Sequence, residues 1–213
     1  MAYQSILYET KLPDEVVALI ERDLAELYPD DELTHSLVEN EEEQKTKAKK
    51  DRNSKNAWVP AEHWTTGFVM HYVNMANTHN FCYDLRCIDG LSLQYTSYGE
   101  GCFYNWHCDH GVESYYYQSG YQALGFGEDL MRDKLALDAE LVRKISFSLQ
   151  LSDPDEYEGG ELQLMNDVNE LYEVPKEKGV LFCFDSRAMH RVRKVKSGRR
   201  KSLVGWMLGP RWR

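Results

Sequence analysis

Residues 143–165 read "RKISFSLQLSDPDEYEGGELQLM". Ile145, Phe147, Leu149 and Leu151 take turns with Ser146, Ser148 and Gln150, the period-two pattern of a strand with one buried face. Aspartate, proline and paired glycines then crowd "DPDEYEGG", which is turn chemistry, and "GELQLMN" at 160–166 resumes the strand pattern. Working outward, the same unit recurs. "LSLQYTSY" at 91–98, "YNWHCD" at 104–109, "GVLFCFD" at 179–185 and "KSLVGWML" at 201–208 are short and partly alternating. They are divided by "YGEG", "KEKG" and "KSGR". Short strands separated by turns in this way predict an antiparallel barrel or sandwich. The N-terminal side has a different period. Val16, Val17, Leu19, Ile20, Leu24 and Leu27 lie close to helical spacing, with Pro13 and Asp14 at the start and Pro29 just past the end. A second helix is expected over about 60–77 from Trp64, Phe68, Val69, Tyr72, Val73 and Met75. Two helices followed by a run of strands give an α+β domain with the helices packed outside a β core.

The 213 residues suit one domain, and a core of that size buries roughly 70% of the unfolded surface without staples. A formal net charge of −10 argues against non-specific binding to nucleic acid or to an anionic membrane, though it leaves room for a local basic patch such as "HRVRKVKSGRRK". No apolar run approaches the roughly 20 residues that span a bilayer, and the first residues do not have the pattern of a secretory leader. The five cysteines are odd in number and never spaced C-x-x-C, so neither a disulfide framework nor a zinc ribbon is expected. A reducing, cytoplasmic setting fits that usage. Residues 38–56, nearly free of large apolar side chains, read as a solvated loop or an element that meets a partner. Residues 111–140 are long for a connection between strands, with a short helix expected around Glu128 to Leu137. Tyr115 to Tyr117 and Tyr121 within it suit a substrate-gripping lid or ordinary packing equally.

The chemistry concentrates in "YNWHCDHG" at 104–111. On a strand, residues two apart share a face, so His107 and Asp109 point together while Cys108 and His110 point away. A metal site needs a third ligand, and His190, directly after the strand "GVLFCF", is the best placed. Two histidines and one carboxylate on one face of an octahedral ion make the facial triad of non-haem Fe(II) oxygenases, with three positions left open. Arg200, ten residues after His190 and at the start of the next strand, can pair bidentately with a carboxylate. Alternation puts it on one face with Ser202, Val204 and Trp206. His63, His71 and His79 are eight apart, which scatters them around a helix.

These stretches, with "YGEGCFYNWHCD" and "GVLFCFDSRAMHRVRKVKSGRRKSLVGW" quoted whole, resemble the 2-oxoglutarate- and Fe(II)-dependent dioxygenases, and within them the prolyl 4-hydroxylase-like branch. The resemblance covers most of 91–206 in family order. It implies a double-stranded β-helix, or jelly roll, within a single domain 1–213, where 1–90 supplies helical support and a polar loop and 91–213 the catalytic core. His107, Asp109 and His190 then correspond to the iron ligands. Arg200 corresponds to the basic residue that holds the distal carboxylate of 2-oxoglutarate, where prolyl hydroxylases often have lysine. Tyr98, Gln150, Val192 and Ser202 fall at co-substrate positions, with Ser148 beside them, and Tyr104 and Trp206 at positions that face a substrate peptide. The implied activity is hydroxylation of a C–H bond by O₂, with ascorbate as reductant, on a prolyl residue of a peptide or protein. A free amino acid or small metabolite remains open as substrate, and so does a non-catalytic jelly-roll module that binds metal or ligand. A nucleic-acid substrate is disfavoured by the acidic charge.

Overall fold

The computed structural model describes residues 6–30, 32–35, 52–109, 141–166 and 169–212. The segment 111–140, with its expected helix and tyrosines, and the polar run from 38 to 51 lie outside the described residues, as does His110.

Two antiparallel sheets dominate. The larger runs in the order β1 (Leu7–Lys11), β12 (Val180–Asp185), β8 (Leu141–Gln150), β15 (Arg200–Pro210), β6 (Ser92–Tyr98), β4 (Lys55–Pro60) and β2 (Thr34–His35), and β5 (Cys87–Ile88) pairs with the C-terminal part of β15. The smaller runs β11 (Leu171–Glu173), β10 (Leu162–Met165), β13 (His190–Val192), β7 (Phe103–His107) and β3 (Arg52–Asn53). A short ribbon of β9 (Tyr157–Gly159) and β14 (Val195–Gly198) completes the set. The expected jelly roll is the observed fold. Its two sheets join chain-distant strands, so the pairing has to close long loops before it is rewarded.

Alternation along the strands sorts the larger sheet into two faces. Ile145, Phe147 and Leu149 of β8, with Leu181 and Cys183 of β12, pack outward onto α1 (Asp14–Leu27) and α2 (Trp64–Ala76). The helices meet them with Val17, Ile20 and Leu24 from α1 and Val69, Val73 and Ala76 from α2, spaced three and four apart as a single apolar stripe requires. Leu19 and Leu27, counted in the same periodic pattern, fall outside that stripe and stay exposed. His63 caps α2, its ring accepting the Thr65 N–H at 3.4 Å. Gly205 of β15 sits where any side chain would collide: a Cβ there would lie 2.4 Å from Phe147 Cζ and 2.7 Å from Leu93 Cδ2. Phe182 and Phe184 point the other way and join Leu162, Leu164 and Val192 in a second core between the sheets.

Three sequence expectations change. Residues 52–60, read in part as a solvated loop, form β3 and β4 and pair with β7 and β6. The first ninety residues therefore do more than support the roll from outside: β1 to β5 are strands of its sheets. The third concerns β7, which ends at His107, so Asp109 lies beyond the ladder rather than on it.

One irregularity shapes the interior. Ile145 pairs with Met207, but Leu208 pairs with Arg143, so Lys144 is an extra residue in β8. A bulge of this kind shifts the alternation by one on its far side. Arg143 thereby joins Trp206 on the interior face, its guanidinium carbon 4.2 Å from the indole centre, while the Lys144 ammonium sits 3.4 Å from the Trp212 ring.

Candidate metal centre and its cavity

His190 and His107 face each other directly across the β13–β7 ladder. Their rings are 4.0 Å apart at the centroids. Asp109 reaches them from the turn after β7, and that turn is pinned because its N–H donates to the Ser186 carbonyl at 2.9 Å. One ligand atom from each of the three residues lies within 4.8 Å of the others, and no other such group occurs among the described residues. His107 Nε2 is 3.7 Å from one carboxylate oxygen of Asp109, and His190 Nε2 is 3.4 Å from the other.

The orientation of each ring is fixed from behind. His107 Nδ1 lies 2.7 Å from the Asn105 carbonyl and His190 Nδ1 3.0 Å from that of Ala188. A carbonyl only accepts, so both Nδ1 atoms carry the proton and both Nε2 lone pairs turn toward Asp109. Second partners of this type hold metal-ligating histidines in place. Tyr104 stacks on His107 at 3.5 Å, and Phe184 meets His190 edge-on. The Ser146 hydroxyl donates to the Asp109 carboxylate at 2.7 Å and lies 2.9 Å from the Ser186 hydroxyl. Burial pushes His107 down to about 4, reinforced by His190 beside it. Burial alone would raise the Asp109 carboxyl, yet His190, His107 and Arg143 outweigh it and hold the group below its ordinary range. The neutral-imidazole and ionised-carboxylate forms are the ones that bind a divalent ion. Two nitrogens and one carboxylate on a common side are also the donor set suited to Fe(II).

The triad opens into a cavity of about 270 Å³ between the sheets. Of the residues singled out in the sequence, Tyr98, Tyr104, His107, Asp109, Ser148, His190, Val192, Arg200, Ser202 and Trp206 all line it. Arg200 is 4% exposed. Its guanidinium donates to Ser202 Oγ at 3.3 Å and stands 5.6 Å from the Tyr98 ring centre, and no carboxylate lies within ion-pair distance among the described residues. Gln150 is set apart from the others. It faces a small adjoining recess behind Arg200, where its amide donates to the Tyr157 hydroxyl at 2.9 Å. Trp206 is buried against Arg143, and its indole helps to hold the Asp109 carboxyl down.

Four contributors escaped the sequence reading. Arg52 and Gln94 line the cavity, and Arg143 does so paired to the buried Asp89 at 2.6 Å. Ser146, which seats Asp109, shares the polar face of "SFSLQ" with Ser148 and Gln150, and that run of polar residues at alternate positions was the signal available. Arg52 stood inside a charged run with nothing to mark it, and Arg143 was hidden by the bulge.

Residues 93–208 match the family described as the 2OG-Fe(II) oxygenase superfamily. Among curated proteins, a PKHD-type hydroxylase of Parvibaculum lavamentivorans is 44% identical over 63 residues, 30% of this chain and 28% of that protein. One from Stenotrophomonas maltophilia is 39% identical over 89 residues, 42% of this chain and 39% of that protein. The chain thus matches well under half the length of these relatives. Among solved structures, a Pseudomonas putida prolyl-4-hydroxylase superposes with a TM-score of 0.65 at 17% identity, covering 98% of this chain and 94% of that one. A Trichoplax adhaerens prolyl hydroxylase, solved with a peptide fragment of the hypoxia inducible factor oxygen degradation domain, gives 0.67 at 15% identity, covering 94% of this chain and 82% of that one. At such identities the likeness is one of fold.

Proposed function

Because the chain belongs to the 2OG-Fe(II) oxygenase superfamily, a family of oxidoreductases that use Fe(II) and 2-oxoglutarate, we propose that it hydroxylates a C–H bond of a prolyl residue in a peptide or protein. One observation carries the assignment of the site: the His107–Asp109–His190 triad shares a cavity with a buried guanidinium that has no acidic partner among the described residues. A metal alone would explain the triad. Arg200 calls for an anion as well, and the distal carboxylate of 2-oxoglutarate is the one that the family supplies.

In this reading His107, Asp109 and His190 hold Fe(II) on one face, and with 2-oxoglutarate and O₂ the metal supplies an oxidant able to attack an unactivated C–H bond. The chain's own work is placement. Arg200 fixes the far end of the co-substrate, aided by the Ser202 hydroxyl and by Tyr98 beneath it. Gln150, held to Tyr157, closes the recess behind Arg200 and sets how long a dicarboxylate the pocket accepts. Val192 and Phe184 keep the interior dry, which strengthens the electrostatic contacts inside. Tyr104, Trp206 and Trp58 frame the mouth where a substrate enters. Ser146 holds Asp109 in its ligating orientation.

Support for a prolyl peptide comes from the fold shared with prolyl hydroxylases, one of them solved with a peptide fragment. Ascorbate is the expected reductant. The five cysteines form no disulfide, in keeping with a reducing compartment; no helix among the described residues is long and apolar enough to cross a membrane. The test is an incubation of the full chain with Fe(II), ascorbate, 2-oxoglutarate and peptide arrays with and without proline. Succinate release together with a gain of one oxygen mass on proline peptides is expected. Oxygen added only to small amino acids would move the substrate class, and no succinate under any condition would make the roll a binding module.

A further inference from the structure

We propose that Arg52 is a carboxylate-binding subsite at the mouth of the cavity, so that the substrate carries an acidic side chain on the residue next to the one oxidised. This deepens the hydroxylase reading and rests on it. In a chain with a net charge of −10, the described residues of the cavity wall carry three guanidinium groups, Arg52, Arg143 and Arg200, against the single carboxylate of Asp109. Two of the three have an assignment. Arg143 is matched by Asp89 at 2.6 Å, and Arg200 is taken by the co-substrate. Arg52 has neutral partners alone among the described residues: its Nε donates to Ser54 Oγ at 2.9 Å and Nη2 to the side-chain Oε1 of Gln94 at 2.8 Å.

Those two bonds also aim the group. A guanidinium has five N–H donors. Fixing Nε and one N–H of Nη2 leaves the end-on edge, where Nη1 and Nη2 each present a donor, the pair that a single carboxylate accepts bidentately. The planar group is stiffened further by Tyr104, whose ring lies 4.8 Å from its central carbon, and β3 pairs Arg52 with Tyr104 in register. Tyr104 in turn stacks at 3.5 Å on His107. Two short steps therefore connect the free edge of Arg52 to a metal ligand, a separation that one peptide residue beside the reacting one can cover. A lone guanidinium neutralises one negative charge and suits a carboxylate better than a phosphate dianion.

The test uses the full chain loaded with Mn(II) and 2-oxoglutarate, with fluorescein-labelled nonapeptide libraries that are degenerate except for a central proline and one neighbour. That neighbour is Glu, Gln or phosphoserine, placed on either side, and N-acetyl-prolyl-glutamate and its glutamine counterpart serve as competitors that represent a small-molecule source. Fluorescence anisotropy should show Glu libraries binding about tenfold tighter than Gln libraries on at least one side. In Arg52→Gln the ratio should fall to near one, and in Arg52→Lys it should persist in part, since a point charge replaces the fork. A ratio within twofold in the unmodified protein overturns the subsite, and so does a preference that survives in Arg52→Gln. Tighter binding of phosphoserine than of Glu overturns the carboxylate assignment. Competition by N-acetyl-prolyl-glutamate as strong as by the library peptides keeps the subsite and assigns it to small acids. Binding is read without turnover, so a loss of the acid preference and a failure to release succinate are separate results.

Discussion

Replacing Arg200 by alanine separates a co-substrate anchor from a structural cation, because the two roles predict opposite signs for stability and binding. In the protein without co-substrate, the guanidinium meets the hydroxyls of Ser202, at 3.3 Å, and Tyr157, and has no ion pair among the described residues, yet is 4% exposed. An unmatched buried charge costs several kcal/mol, so Arg200→Ala should leave the thermal midpoint of the ligand-free protein unchanged or raise it. Binding should behave in the opposite way. A bidentate pair in so dry a setting contributes on the order of 3 kcal/mol, and its loss should raise the KM for 2-oxoglutarate by a hundredfold or more. Metal affinity should barely move. The assay pairs succinate release across a co-substrate titration with thermal melts in Mn(II), with and without 2-oxoglutarate; the ligand-induced rise in midpoint should vanish in the variant. Arg199 and Lys201 supply the control. Both lie beside Asp30 at 3.5 Å, and Arg199 is well exposed, so alanine at either should leave the KM nearly untouched. Equal, small effects at all three positions would refute the assignment and make the segment an ordinary basic turn.

His107→Ala and Asp109→Ala should each abolish turnover and lower bound metal to background by elemental analysis, since two ligands cannot fix a facial set. Ser146→Ala, which removes only the hydroxyl behind Asp109, should weaken Mn(II) binding by roughly tenfold to a hundredfold in a titration while leaving the fold intact. In the metal-free protein, His107 is held at about 4, below its ordinary 6.5, so the unfolded chain takes up its proton first. Stability measured by urea denaturation should therefore decline as pH falls from about 6.5 toward 4, and His107→Gln should flatten that slope. Gly205→Ala drives a methyl into Phe147 and Leu93 and should cost about 1–3 kcal/mol in the same denaturation assay.

How much of this was legible in the sequence depends on how local the signal was. The strands around Phe147, Phe182 and Leu203 announce themselves by alternation, because one face is buried against helices and the other lines a cavity, and period two follows from that division of faces. The triad and Arg200 were found because their spacing is tied to a strand and a turn. Asp109 was identified by an argument that the structure modifies: alternation put it on the strand, whereas the ladder stops at His107 and a backbone bond to Ser186 brings the carboxylate into place. Arg52 was out of reach. A two-residue edge strand has no periodicity to detect, and its partner β7 lies about fifty residues along the chain. Gln150 was placed on the right face, but alternation says nothing of depth, and depth puts it behind Arg200 rather than in the main cavity.

The extra residue in β8 acts as a phase boundary within a single strand. Counting back from Ser146 in strict twos would send Lys144 inward and Arg143 out toward the helices; the bulge exchanges these destinations. Residues on the C-terminal side keep one phase and serve the triad through Ser146, while those on the N-terminal side keep the other and set the charge beside Trp206. The two ends of the strand thus reach the carboxylate in different ways. Arg143 acts on the Asp109 carboxylate through its charge, whereas Ser146 touches it directly. An unbroken strand would have brought only one of these two effects to the carboxylate.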